Sequence, residues 1–113
     1  LTWVASVIAA GTAAPPAIAV DLNPYCQVSQ EAATAKEALR KATFTGDRQA
    51  QDRYQAVVRQ HSEAVRRCRS QTWPVRQAVW VRLYPCDLQP GVLEAVMDRV
   101  VNLGYNEVYV EAF

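Results

Sequence analysis

Residues Gln77 to Phe113 read as strand, helix, strand, and this pattern constrains the chain more than any other. Ala78-Val79-Trp80-Val81-Arg82-Leu83-Tyr84 is rich in β-branched and aromatic residues. Pro90 to Leu103 repeats its apolar residues at helical spacing, and Glu107 to Phe113 returns to strand composition. Strands joined by a helical crossover pair in parallel, and two of them cannot enclose a core. The segment is therefore read as the opening of a larger α/β domain. A closed (β/α)8 barrel takes about 250 residues, so a chain of 113 is expected to hold only the first part of one. The fold class expected is α+β: a helical hairpin followed by a β-α-β unit that looks like the start of a (β/α)8 barrel.

Ahead of that unit the sequence changes character twice. Leu1 to Ala10 is an apolar run, extended through Pro15-Pro16 to Ala17-Ile18-Ala19, where small residues at the last and third-last positions suit signal-peptidase cleavage before Val20. Residues 1–19 are read as a signal peptide whose basic amino-terminal region is missing, which places the protein outside the cell or in the bacterial periplasm. An uncleaved leader acting as a transmembrane anchor is the competing reading, and Pro15-Pro16 would break such a helix near its end.

Asn23 to Ser70 reads as two antiparallel helices. Asn23 suits a cap and Pro24 the first helical position, after which Tyr25, Val28, Ala32, Ala35, Leu39 and Ala42 recur at spacings of three and four. Gly46 ends this helix and Asp47 caps the next, whose stripe is Ala50, Tyr54, Val57, His61, Ala64 and Cys68. Glu37 with Lys41, and Glu63 with Arg67, are pairs four apart on exposed faces. Folding at Gly46 brings Cys26 and Cys68 to the open end of the hairpin. A disulfide there closes a loop of about 43 residues, stabilising by ~4 kcal/mol on the chain-entropy account; two buried thiols are the alternative. Cys86 is left over. Gln71 to Arg76, with Trp73-Pro74, reads as a linker.

In the β-α-β unit, Val79, Val81 and Leu83 alternate with Trp80, Arg82 and Tyr84, as Val108, Val110 and Ala112 do with Tyr109, Glu111 and Phe113. The aliphatic faces should lie under Leu93, Val96, Met97, Val100 and Leu103 of the helix, which Gly104 ends. In a barrel the aromatic face points inward. Arg82 and Glu111 are then neighbours near the carboxyl ends of parallel strands, where barrel enzymes place their sites. They are read as substrate-binding residues together with Tyr84 and with Asp87 in the following loop. A self-contained ion pair and a loop-capping carboxylate are the structural alternatives.

Other chemistry is not indicated. His61 is the one histidine and falls on the hairpin stripe, so it reads as a packed residue. The three cysteines lack metal-ligand spacing, and no glycine-rich phosphate loop or nucleophile elbow occurs, so neither metal nor cofactor is expected. Twelve basic against eleven acidic side chains and a mean hydropathy of -0.12 give no field that would draw nucleic acid. Arg66, Arg67 and Arg69 read as solvated charges that complement a helix carboxyl end.

The stretch Gln77 to Asp87 with Leu83-Tyr84-Pro85-Cys86-Asp87, then Pro90-Gly91, then Val100 to Phe113 with Leu103-Gly104-Tyr105-Asn106, resembles secreted bacterial glycosyl-hydrolase-like proteins of family 10. The resemblance covers about a third of the chain. It implies a signal peptide, a TIM-type barrel, and hydrolysis of a polysaccharide or cell-wall glycan between two carboxylates. In related barrels those carboxylates come from later strands, so no catalytic residue is assigned and the chain alone is expected to be inactive. The competing expectation is a non-catalytic envelope protein that binds a partner through its disulfide-clamped hairpin.

Overall fold

The computed structural model describes residues 20–112. The leader expected at 1–19 and Phe113 lie outside the described residues. The chain forms an α+β globule of three helices and one two-stranded parallel sheet. Helix α1 spans Gln30–Ala42, α2 spans Arg48–Ser70, strand β1 spans Ala78–Leu83, α3 spans Val92–Asn102 and strand β2 spans Glu107–Ala112.

The first helix starts later than the sequence suggests, and side-chain competition explains why. Asn23 turns its Oδ1 onto the backbone N–H groups of Tyr25 (2.9 Å) and Gln27 (3.0 Å), closing a local turn that excludes helix. Cys26 follows with φ 63, a left-handed conformation. Val28 then pairs with Leu22 in an isolated antiparallel bridge and donates its N–H to the Asn102 carbonyl at 2.9 Å. Ser29 supplies the actual cap, its Oγ accepting from Ala32 N at 3.2 Å.

The hairpin bend follows the residues chosen for it. A single 3-10 turn, Thr43–Thr45, leads into Gly46 at φ 81, and Asp47 Oδ1 accepts from Gln49 N and Ala50 N at 3.0 and 3.2 Å. At the open end Cys26 and Cys68 form a disulfide with their Cα atoms 5.7 Å apart. Cys86 is free and exposed. A disulfide of this kind is compatible with an extracellular or periplasmic location. No helix among the described residues is long and apolar enough to cross a membrane.

Hairpin and β-α-β unit share one interior. Cys26, Val28, Ala50, Tyr54, Val65 and Val100 are its buried apolar members, and Lys36, His61, Arg69 and Asp98 are buried with them. Arg69 corrects the solvated reading of that residue. It is 5 % exposed, and its Nε and Nη2 donate to the carbonyls of Gly104 and Tyr25, each at 2.7 Å. Arg66 and Arg67 do stay in solvent beside Glu63. Gly104 (φ 87) is required where it stands, because a Cβ would lie 2.9 Å from the Cys26 and Tyr25 carbonyl oxygens.

The sheet registers Ala78 with Glu107 through Leu83 with Ala112. Val79, Val81 and Leu83 are half-buried, as expected of an aliphatic face under a helix. Coverage is incomplete beyond that: Val110 is exposed, and so are Met97 on α3 and Leu103 just past its end. Helix α3 is rotated to present Asp98 and Val100 inward, which draws its packing toward the hairpin.

Candidate functional site

Trp80 and Arg82 from β1, with Tyr84 directly after it, and Tyr109 and Glu111 from β2 share the uncovered face of the sheet, because side chains two apart on a strand point the same way. Arg82 and Glu111 are register partners in the last but one pair of the ladder. Arg82 Nε donates to Glu111 Oε2 at 3.1 Å and Nη2 donates to both carboxylate oxygens at 3.0 Å. The Tyr84 hydroxyl and then the Glu111 carboxylate raise the Arg82 pKa further, so the guanidinium is held charged. Arg82, Leu83, Tyr84, Glu111 and Ala112 line a notch of about 230 Å³ at the carboxyl ends of the strands.

Three of the four anticipated binding residues are thus brought together. Asp87 is not among them. Its Oδ2 accepts the Tyr84 backbone N–H at 2.7 Å and closes the 3-10 turn Pro85–Leu88, so this carboxylate is engaged in capping. It acts on the site by fixing the backbone from which Tyr84 projects. At the other end of the sheet Arg76 pairs with Glu107, which also accepts the Tyr109 hydroxyl at 2.9 Å. Arg76 first, then Tyr109, hold the Glu107 carboxyl below the usual carboxylate range.

Energetics separate this face from the interior. Arg82 and Glu111 side chains are 59 % and 42 % exposed, and an exposed pair contributes only about 0.2 to 1 kcal/mol to stability. Trp80, Tyr84 and Tyr109 are 71 %, 52 % and 56 % exposed. Aromatic rings of that size gain most by covering an apolar surface while their polar atoms stay wet. The face therefore presents exposed aromatic rings beside a charged donor, Arg82, and a charged acceptor, Glu111.

A second polar group lies among the three helices, and the sequence reading passed over it. Asp98 Oδ2 accepts from Tyr54 Oη at 2.8 Å and from Arg40 Nη1 at 3.2 Å, while Arg40 also lies 3.6 Å from Glu37. Lys36 is 1 % exposed, and burial pushes its pKa down to about 8, an effect Asp98 opposes and Arg40 reinforces. His61 is buried as expected of a packed residue. Burial, then the Lys36 charge, push it down to about 4. Burial and the bond to Asp98 raise Tyr54. The available signal was Asp98 itself, the one carboxylate between Val96-Met97 and Val100-Val101, matched by cations four apart at Lys36 and Arg40.

Among the described residues no group of three or more His, Cys, Asp or Glu side chains gathers as a metal site. Comparison with protein-family models, curated proteins and solved structures finds no match to this chain.

Proposed function

We propose that Ala78 to Ala112 is the first β-α-β unit of a glycan-hydrolysing barrel in a secreted or periplasmic protein, and that its aromatic face binds the saccharide. The observation that carries this reading is the open face itself: Trp80, Tyr84 and Tyr109 exposed around a bidentate Arg82–Glu111 pair at the carboxyl ends of two parallel strands. Both strands also have an unpaired edge among the described residues, which further strands of a barrel would satisfy. Catalytic acids are assigned to other strands, and Arg82, Tyr84 and Glu111 to substrate binding.

The test uses the full-length protein against soluble polysaccharides and cell-wall glycan. Glu111→Gln keeps the shape of the side chain and removes its charge, so saccharide affinity should fall about tenfold, which corresponds to about 1.4 kcal/mol. The denaturation midpoint should stay within the small range set by an exposed pair. Unchanged affinity and turnover in the variant demote the pair to barrel structure. Absence of both glycan binding and hydrolysis in the parent refutes the hydrolase reading in favour of an envelope interaction protein.

A further inference from the structure

Strand β1, Ala78-Val79-Trp80-Val81-Arg82-Leu83, and strand β2, Glu107-Val108-Tyr109-Val110-Glu111-Ala112, can pair in more than one way by pattern alone. A slip of one residue would exchange the two faces of one strand, which the alternation forbids. A slip of two keeps Val79, Val81 and Leu83 on one side with Val108 and Val110, and Trp80 and Arg82 on the other with Tyr109 and Glu111. It would nevertheless separate Arg82 from Glu111, its partner in the observed register, and set it opposite Tyr109. The face pattern therefore does not select the register that makes the pair.

Asn106, the residue before β2, is placed to select it. Its backbone N–H donates to the Gln77 carbonyl at 3.0 Å, and its side-chain Oδ1 accepts the Gln77 N–H at 2.8 Å. Its Nδ2 donates in turn to the Val75 carbonyl at 3.0 Å. The side-chain amide thus stands in for a peptide group and carries the bonding between the segments one step beyond the first pair of the ladder, Ala78 with Glu107. A slipped sheet would break these bonds together, because each is directional and meets one particular backbone group. The segment before Asn106 is held as well, since the buried Arg69 donates to the Gly104 carbonyl at 2.7 Å. The other contact at this end is Arg76 with Glu107, and its arginine is 74 % exposed on a long, flexible stem, so it tolerates displacement.

We propose that Asn106 is a positioning residue for the Arg82–Glu111 pair: its side-chain amide locks the start of β1 to the start of β2 and so selects, among the registers that the face pattern allows, the one that sets Arg82 opposite Glu111. The lock acts whether or not a saccharide is the ligand of that face.

Disulfide trapping in the full-length protein, in a Cys86→Ser background, tests it. Val81→Cys is combined with Val110→Cys for the observed register, and with Val108→Cys or Ala112→Cys for a slip of two in either direction. Mild oxidation followed by peptide mass spectrometry gives the ratio of observed to slipped cross-links, and circular dichroism checks that each variant is folded. With Asn106 present the cross-link between positions 81 and 110 should dominate. Asn106→Ala removes both side-chain bonds from an exposed position and should lower the ratio by about fivefold, the lower end for two hydrogen bonds. Asn106→Asp keeps an acceptor for the Gln77 N–H but loses the donor to Val75, and should lower the ratio by a smaller factor. Arg76→Ala should leave it unchanged. An unchanged ratio in both Asn106 variants, or a fall in Arg76→Ala as large as in Asn106→Ala, would overturn the assignment.

Discussion

Replacing Asp98 with asparagine separates charge from shape in the three-helix interior. The amide keeps an oxygen for the Tyr54 hydroxyl, so the 2.8 Å bond has a counterpart in the variant. What it loses is the anion facing Arg40, whose side chain is 14 % exposed against 7 % for Asp98. Removing one partner of a buried pair costs about 3 to 5 kcal/mol, because the remaining charge is stranded. Arg40 retains Glu37 at 3.6 Å, and that carboxylate is half in solvent, which places the expected loss near the lower limit, about 3 kcal/mol. Urea unfolding followed by far-ultraviolet circular dichroism reads this directly. With a slope of about 1 to 3 kcal/mol/M the midpoint should fall by about 1 M or more. Lys36, which Asp98 supports, should titrate still lower than about 8 in the variant. A loss below about 1 kcal/mol would equate the pair with an ordinary surface contact and refute the reasoning. Adding Arg40→Met to Asp98→Asn should recover part of the loss, since both charges then leave together.

Two further outcomes follow from the same interior. Cys26→Ala with Cys68→Ala opens a covalent loop of sequence separation 42, and the chain-entropy account puts the cost at ~4 kcal/mol; urea midpoints of the oxidised protein and the double variant measure it, and equal midpoints contradict it. His61 has a folded pKa depressed from 6.5 to about 4, so its stabilising contribution is complete above pH 6.5 and lost as pH falls toward 4, by at most about 1.4 kcal/mol per pH unit. Lys36 is depressed from 10.5 to about 8, and stability should therefore climb again between pH 8 and 10.5, until the raised Tyr54 reverses the trend above pH 10. His61→Leu should flatten the acidic limb alone, and a limb that survives the substitution assigns it to another group.

The turn chemistry and the register were legible in the sequence because single residues dictate them. Gly46 and Asp47 mark the bend by a left-handed φ and a side-chain cap, and Gly104 ends α3 for a related reason. Alternation placed Arg82 opposite Glu111 since strand faces repeat every two residues. The orientation of α1 was not legible. Its apolar stripe is mostly alanine, a residue that defines a face weakly, and Lys36 lies inward, where it feels the Asp98 charge, while Ala35 is left exposed. Asn23 misled for a different reason: the same side chain that caps helices can close its own turn, and the left-handed Cys26 beyond it is bonded to a partner 42 residues away. Of the candidate site, the Arg82–Tyr84–Glu111 group was readable, whereas the role of Asp87 depended on which way a loop carboxylate turns.

The Asn23–Val28 turn is a junction between the disulfide, α2 and the end of α3. Its Cys26 is bonded to α2, its Tyr25 carbonyl receives Arg69, and its Val28 N–H meets the carbonyl at the end of α3. Directional bonds of this sort admit one alignment, where an oily contact would let the partners slide. The disulfide therefore fastens to α2 the same turn whose Val28 N–H holds the last carbonyl of α3, a few residues before β2 departs to carry Tyr109 and Glu111.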